Sequence, residues 1–167
     1  VENFWKLKLI KFPQDIFKLD YNKIKGLEGW GSLSVSNLKY NIDNSKKITL
    51  YKFIYSLGIR HIGQENAKLL SQHLKSSDNF FKLATTKNMN ELLNIDGIGE
   101  IQIKSIKNFF SNKINLEILS ELRKIIKIVN TTVISQTGIL KNKTFMFTGK
   151  LKEISRAEAK SSVEQKA

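Results

Sequence analysis

This sequence predicts a mostly α-helical fold, and three observations support that reading. Apolar residues recur at spacings of three and four along much of the chain, the period of one helix face. Proline occurs once, at Pro13, so little interrupts a helix. A short glycine-bracketed corner also occurs three times, each time between two helical patterns.

The corners are Gly29-Trp30-Gly31, His61-Ile62-Gly63 and Gly97-Ile98-Gly99. Aligned on the trailing glycine, their neighbours fall into one register. Leu27, Ile59 and Ile95 stand two residues before the leading position. Val35, Leu38 and Ile42 follow Gly31 at offsets of four, seven and eleven, and Ala67, Leu70 and Leu74 follow Gly63 in the same way. Ile103, Ile106 and Phe110 do so after Gly99. Those offsets define one helix face, and trailing glycines 32 and then 36 residues apart mark a repeated supersecondary unit. KIKGL, LYKFIYSLGI and MNELLNI supply a shorter helix before each corner, so the unit reads as helix, tight hairpin, helix. Glycine suits the hairpin because it reaches positive φ cheaply and lets two helices approach closely.

Around these units the remaining elements take their places. Val1 and Phe4 hold the phase of the +4 and +7 positions, so VENFWKLKL reads as the second helix of a further hairpin. HLKSSDNFFKLATTK, without glycine, reads as a connecting helical turn or a degenerate copy. Residues 115–129, NLEILSELRKIIKIV, carry Leu116, Leu119, Leu122, Ile126 and Val129 at helical spacing and predict a helix packed back as core. NTTVISQTG lacks a period and reads as a linker, placed at 130–140. Lys143 to Thr148 alternates and predicts a strand, and Ser155 with Glu158 forms a capping box that starts a helix at Arg156. Thr148 and Gly149 could face a phosphate, but read in preference as a simple turn.

With 167 residues and 41% hydrophobic content there is room for one domain and part of another. The first residue is valine, and the expectation is a piece of a longer protein. No apolar run approaches the length that crosses a bilayer, and no signal-peptide pattern opens the chain, which predicts a soluble, cytoplasmic setting with no membrane partner. The net charge of +13 attracts polyanions, although the excess is almost all lysine in a chain also rich in Asn and Ile, a profile that A- and T-rich coding produces as well. Cysteine is absent and the histidines are His61 and His73, so disulfides and cysteine or histidine-rich metal sites are not expected in this stretch.

A bare glycine backbone at a helix N-terminus presents N–H groups and a positive dipole end to an anion, so the repeated corner predicts binding to a nucleic-acid backbone. The plain alternative is an αα-hairpin whose glycines merely end a helix. Candidate DNA-binding residues are Gly29, Gly31, Arg60, His61, Gly63, Lys68, Gly97, Gly99 and Lys104, with Lys39 and Lys107 as weaker ones. Arg60 offers a guanidinium fork to phosphate oxygens. Lys68 and Lys104 share an offset of five after their trailing glycines, and a solvated lysine is the other reading of each. A dinucleotide loop would need a third glycine, where Gln102 stands, and no GxxxxGK[ST] loop is present.

LEGWGSLSVSNLKYNIDNSK, FIYSLGIRHIGQENAKLLSQHL and NIDGIGEIQIKSIKNFF, in this order, resemble the helix-hairpin-helix domain of the bacterial NAD⁺-dependent DNA ligases, and GILKNKTFMFTGKLKEISRAEAKSSVEQ resembles the start of their BRCT domain. The resemblance implies a tandem helix-hairpin-helix domain over 1–129 and an incomplete α/β BRCT segment over 141–167. It implies four hairpin motifs in the family, one of them degenerate. It also implies nicked double-stranded DNA and the remaining ligase domains as partners, NAD⁺, Mg²⁺ and Zn²⁺ as cofactors of the whole protein, and a bacterial, nucleoid-associated location. Two departures stand out. His61 replaces the leading glycine of the second corner, and NIDG puts Asn94 where the ligases' KxDG motif has its nucleophilic lysine, so no catalytic residue is expected here. Hairpins of a repair nuclease subunit or repair polymerase, and a protein-interaction scaffold, remain open.

Overall fold

The computed structural model describes residues 2–86, 89–130, 139–140, 143–148, 159 and 162–163. The chain divides into two units, Val1–Thr131 and Thr132–Ala167. In the first, helix α1 (Glu2–Lys6) and a 3-10 helix (Pro13–Lys18) precede α2 (Tyr21–Lys25) and α3 (Ser32–Ser45). Strand β1 (Lys47–Thr49) leads into α4 (Leu50–Ser56) and α5 (Gln64–Leu74), followed by α6 (Ser77–Lys82). A second 3-10 helix (Asn90–Asn94), α7 (Glu100–Ser111), α8 (Lys113–Ile125) and β2 (Lys127–Val129) complete it.

The helices form where the apolar register predicts and stop for local reasons. After α4, Gly58 takes φ +63° and its N–H donates to Tyr55 O at 3.2 Å, a left-handed helix ending that glycine accepts without strain. Ser76 Oγ accepts from Asn79 N at 3.2 Å to start α6, and Asn112 Oδ1 accepts from Ile114 N at 2.9 Å to start α8.

Two apolar cores result. Ile24, Val35 and Ile42 of the first hairpin close on Phe4, Ile10 and Leu19, and the Phe4 and Trp30 rings lie 5.1 Å apart. The second and third hairpins share a larger core. In it the Phe53 ring meets Phe80 edge-on at 6.2 Å, and Phe80 meets Phe110 at 5.4 Å, which joins α4, α6 and α7 through one aromatic chain. Phe17 of the first 3-10 helix packs against both cores. Lys18 Nζ also reaches Glu121 Oε2 at 3.2 Å. With Lys124 and Lys18 donating to it, the Glu121 carboxylate is held below its ordinary range.

Several expectations are corrected. The helix predicted over 115–129 ends at Ile125, because Ile126 turns extended (φ −100°, ψ 127°) and residues 127–129 become a strand. The β-branched run Ile125, Ile126, Ile128, Val129 favours that conformation. β2 pairs in parallel with β1 in the register Lys47 to Lys127, Ile48 to Ile128 and Thr49 to Val129. The small sheet clips the two ends of the segment that holds the second and third hairpins. MNELLNI forms a 3-10 rather than an α-helix. Of the two readings of HLKSSDNFFKLATTK, the structure shows a connecting helix, α6, with Ser77 N donating to Asn130 Oδ1 at 2.9 Å and Arg123 pairing with Asp78 at 2.8 Å. The strand predicted for Lys143 to Thr148 is not formed among the described residues. Phe145 and Met146 stand exposed there, and among the described residues no strand covers them. Val1, residues 131–138 of the 130–140 linker, Gly149, and Ser155 with Arg156 and Glu158 lie outside the described residues. No described helix is long and apolar enough to cross a membrane.

Candidate nucleic-acid interface

The three corners share one backbone geometry. Trp30 N donates to Leu27 O at 3.1 Å, Ile62 N to Ile59 O at 3.0 Å, and Ile98 N to Ile95 O at 2.9 Å. Each leading position has positive φ: +78° at Gly29, +63° at His61 and +89° at Gly97. A four-residue turn closed by this bond, with positive φ only at its third residue, is of type II. The turn throws the middle residue inward. Ile62 and Ile98 are buried, and Trp30 is half-buried against Phe4.

The two glycine positions therefore have different physical reasons. The leading one answers to the backbone, because a side chain in the left-handed region is strained. Gly97 has a further constraint: a Cβ there would come within 3.0 Å of Leu69 Cδ1 on α5. His61 accepts the strain, and Asn66 Nδ2 donates to its carbonyl at 3.1 Å, tying the turn to the first turn of α5.

No such reason applies to the trailing glycines. Gly31, Gly63 and Gly99 are extended (φ −75°, −77° and −108°), a conformation open to any residue. A Cβ at Gly31 or Gly63 would meet nothing within 4 Å, and at Gly99 only the tip of Gln102 at 3.4 Å. Each is the N-cap of the long helix behind it, accepting the first helical bond from Val35, Ala67 or Ile103. None supplies a side-chain cap, whereas Asp20 caps α2 by accepting from Asn22 N and Lys23 N. At the third corner Gln102 Oε1 accepts from Gly99 N at 3.1 Å, so that amide is partly engaged within the chain.

The cations divide into engaged and open groups. Arg60 and His61 are exposed in the second turn. Lys68 is half-buried, 3.3 Å from Glu65 and 6.0 Å from the centre of the Tyr51 ring, so its charge is partly committed within the protein. Lys104 and Lys107 are exposed on α7, and Lys39 lies over the Tyr21 ring at 5.9 Å. Thr148 is described and exposed. The helical register gave no role to Leu33 and Ile101, each two residues after its trailing glycine, yet they are 75% and 64% exposed. The available signal was an apolar residue placed off the buried face.

Type II corners repeated between packed helices define the class, a mostly helical array of helix–turn–helix hairpins. Residues 52–119, which hold the second and third corners, match the helix-hairpin-helix motif family. Over 99% of its length the chain is 64% identical to a DNA ligase of Pelagibacter ubique (strain HTCC1062), of which it covers 24%. It is 40% identical over 94% of its length to a DNA ligase of Rickettsia massiliae (strain Mtu5), covering 24%, and 40% identical over 96% to one of Wolbachia pipientis subsp. Culex pipiens (strain wPip), covering 25%. The resemblance to the DNA ligases drawn from the corner sequences is thus borne out, and the chain spans about a quarter of the length of these relatives.

Proposed function

We propose that this chain is the duplex-gripping region of an NAD⁺-dependent DNA ligase, holding nicked DNA by its sugar–phosphate backbone while the longer protein seals the break. The observation that carries this reading is the trailing glycine. Neither its φ nor the space around it calls for glycine in the free chain, at Gly31 and Gly63 above all. The reason for keeping the position bare then lies outside the chain, in a phosphate that approaches the main chain at the start of a helix, where amides and the helix dipole favour an anion. Arg60 forks onto a neighbouring phosphate, His61 and Lys104 add contacts, and Lys68 contributes after loosening from Glu65. Such contacts position the protein without reading base sequence.

The residues here do not fit the cofactors of the reaction. Asn94 stands at the position of the nucleophilic lysine, the sequence has no cysteine, and the described residues hold no cluster of three or more metal-ligating side chains. NAD⁺, Mg²⁺ and Zn²⁺ belong, in this reading, to other parts of the longer protein, which works in the bacterial cytoplasm. Residues 141–167 are the start of its BRCT domain, on their resemblance alone.

Titration with nicked duplex at several salt concentrations tests the proposal. The logarithm of affinity should fall with the logarithm of salt by about 0.9 per phosphate neutralised. Gly63→Thr is the sharper probe. Threonine caps a helix about as well as glycine and suits extended backbone, so stability should change by less than ~0.5 kcal/mol while affinity falls several-fold. Binding without salt dependence, or unaffected by this substitution, would favour a protein scaffold.

A further inference from the structure

We infer that Leu33 and Ile101 are apolar contacts of the interface, packing on deoxyribose next to the phosphates held at the first and third corners. The inference rests on the backbone-gripping reading above and extends it to residues outside the glycine-and-cation set. Both side chains occupy the same place, two residues beyond the trailing glycine in the first turn of a long helix. Successive helix residues are about 100° apart, so this position lies roughly opposite the +4 residue that enters the core. It faces water, where a large aliphatic group gains nothing in the free chain, and yet Leu33 and Ile101 are 75% and 64% exposed.

The occupant follows from the neighbours. If the corner amides hold a phosphate, the next surface along the strand is the carbon face of a sugar, the apolar part of a polyanion. An aliphatic side chain beside the amides matches that face, as a lysine would match a phosphate. The second corner supplies the contrast. Its equivalent residue is Glu65, whose carboxylate is 3.3 Å from Lys68 Nζ. An acid there is repelled by the strand, so the second corner grips through Arg60 and His61 instead. The corners thus differ: the first and third add apolar contact beside the amides, and the second does not.

The 167-residue chain carrying both Leu33→Asn and Ile101→Asn, titrated with nicked duplex, tests this. Affinity should fall about five- to tenfold, within the range expected for losing partial burial of two aliphatic side chains. The salt slope should stay unchanged because no phosphate contact is lost. The binding heat-capacity change should become less negative. The melting temperature should not fall, and Leu33→Met with Ile101→Val should keep the parent's affinity. Affinity within twofold of the parent, or a loss that also lowers the salt slope, would overturn the inference. If the parent chain shows no salt-sensitive binding at all, the reading beneath it fails and the inference fails with it.

Discussion

The first hairpin and the pair formed by the second and third use the same corner on unequal foundations. In the pair, the middle residues Ile62 and Ile98 are buried in a common core with the aromatic chain of Phe53, Phe80 and Phe110. In the first, Trp30 is only half-buried, leaning on Phe4 over a smaller core. The pair is also fastened at both ends by β1 and β2 and braced by Arg123, which pairs with Asp78 and lies 4.8 Å over the Phe81 ring. A corner's turn is local, but its rigidity is borrowed from whatever lies beneath it. The pair should therefore open less often than the first hairpin.

The largest expected effect comes from removing that support. Phe53 is 1% exposed and touches the rings of both Phe80 and Phe81. Phe53→Ala should cost about 3–5 kcal/mol and abolish amide protection throughout α4 to α8. Phe4→Ala should strip protection from α2 and α3 while leaving α5 and α7 slow to exchange. Equal loss in both regions after either substitution would show one cooperative unit and break the comparison.

Next in size is the close approach at Gly97. Alanine there must adopt φ near +89° and push Leu69 Cδ1 back from 3.0 Å. A cost of about 1–3 kcal/mol follows from the strained backbone. Gly29→Ala meets the same φ penalty but no neighbour within 4 Å, so it should cost less in chemical denaturation. If the two cost the same, the contact with Leu69 contributes nothing.

The helical faces were legible because each long helix places its +4 and +11 residues on a buried surface, and a period of 3.6 is hard to imitate. The turn was legible as well: three aligned corners located the place where helices meet. What the sequence hid is of two kinds. Three-residue strands such as KIT and KIV are too short to show a period, and their pairing joins residues 80 apart in sequence, from Lys47 to Lys127, which no local pattern reports. The corner also looks like one glycine motif, although its two positions differ. Only backbone angles reveal that the leading residue is left-handed and the trailing one extended, which turns a repeated spelling into a structural demand at one position and the proposed binding demand at the other. Lys68 shows the same limit of spacing, because its shared offset with Lys104 says nothing of Glu65 and Tyr51 beside it.

The smallest effect separates those two demands at a single corner. His61 holds φ +63° where the other corners have glycine, and the second hairpin tolerates this because its core and the Asn66 bond to the His61 carbonyl determine the turn regardless. His61→Gly should therefore stabilise the chain, by about 1 kcal/mol from relieving the left-handed strain, less what glycine adds to the entropy of the unfolded state. DNA affinity should fall slightly in the same variant, since a ring beside the proposed phosphate site is lost while the corner amides remain. Opposite signs for stability and binding would mark His61 as a residue kept for contact at a structural cost. A variant both more stable and equally tight in binding would mean that the side chain serves neither purpose, leaving Arg60 to supply the charge of the second corner.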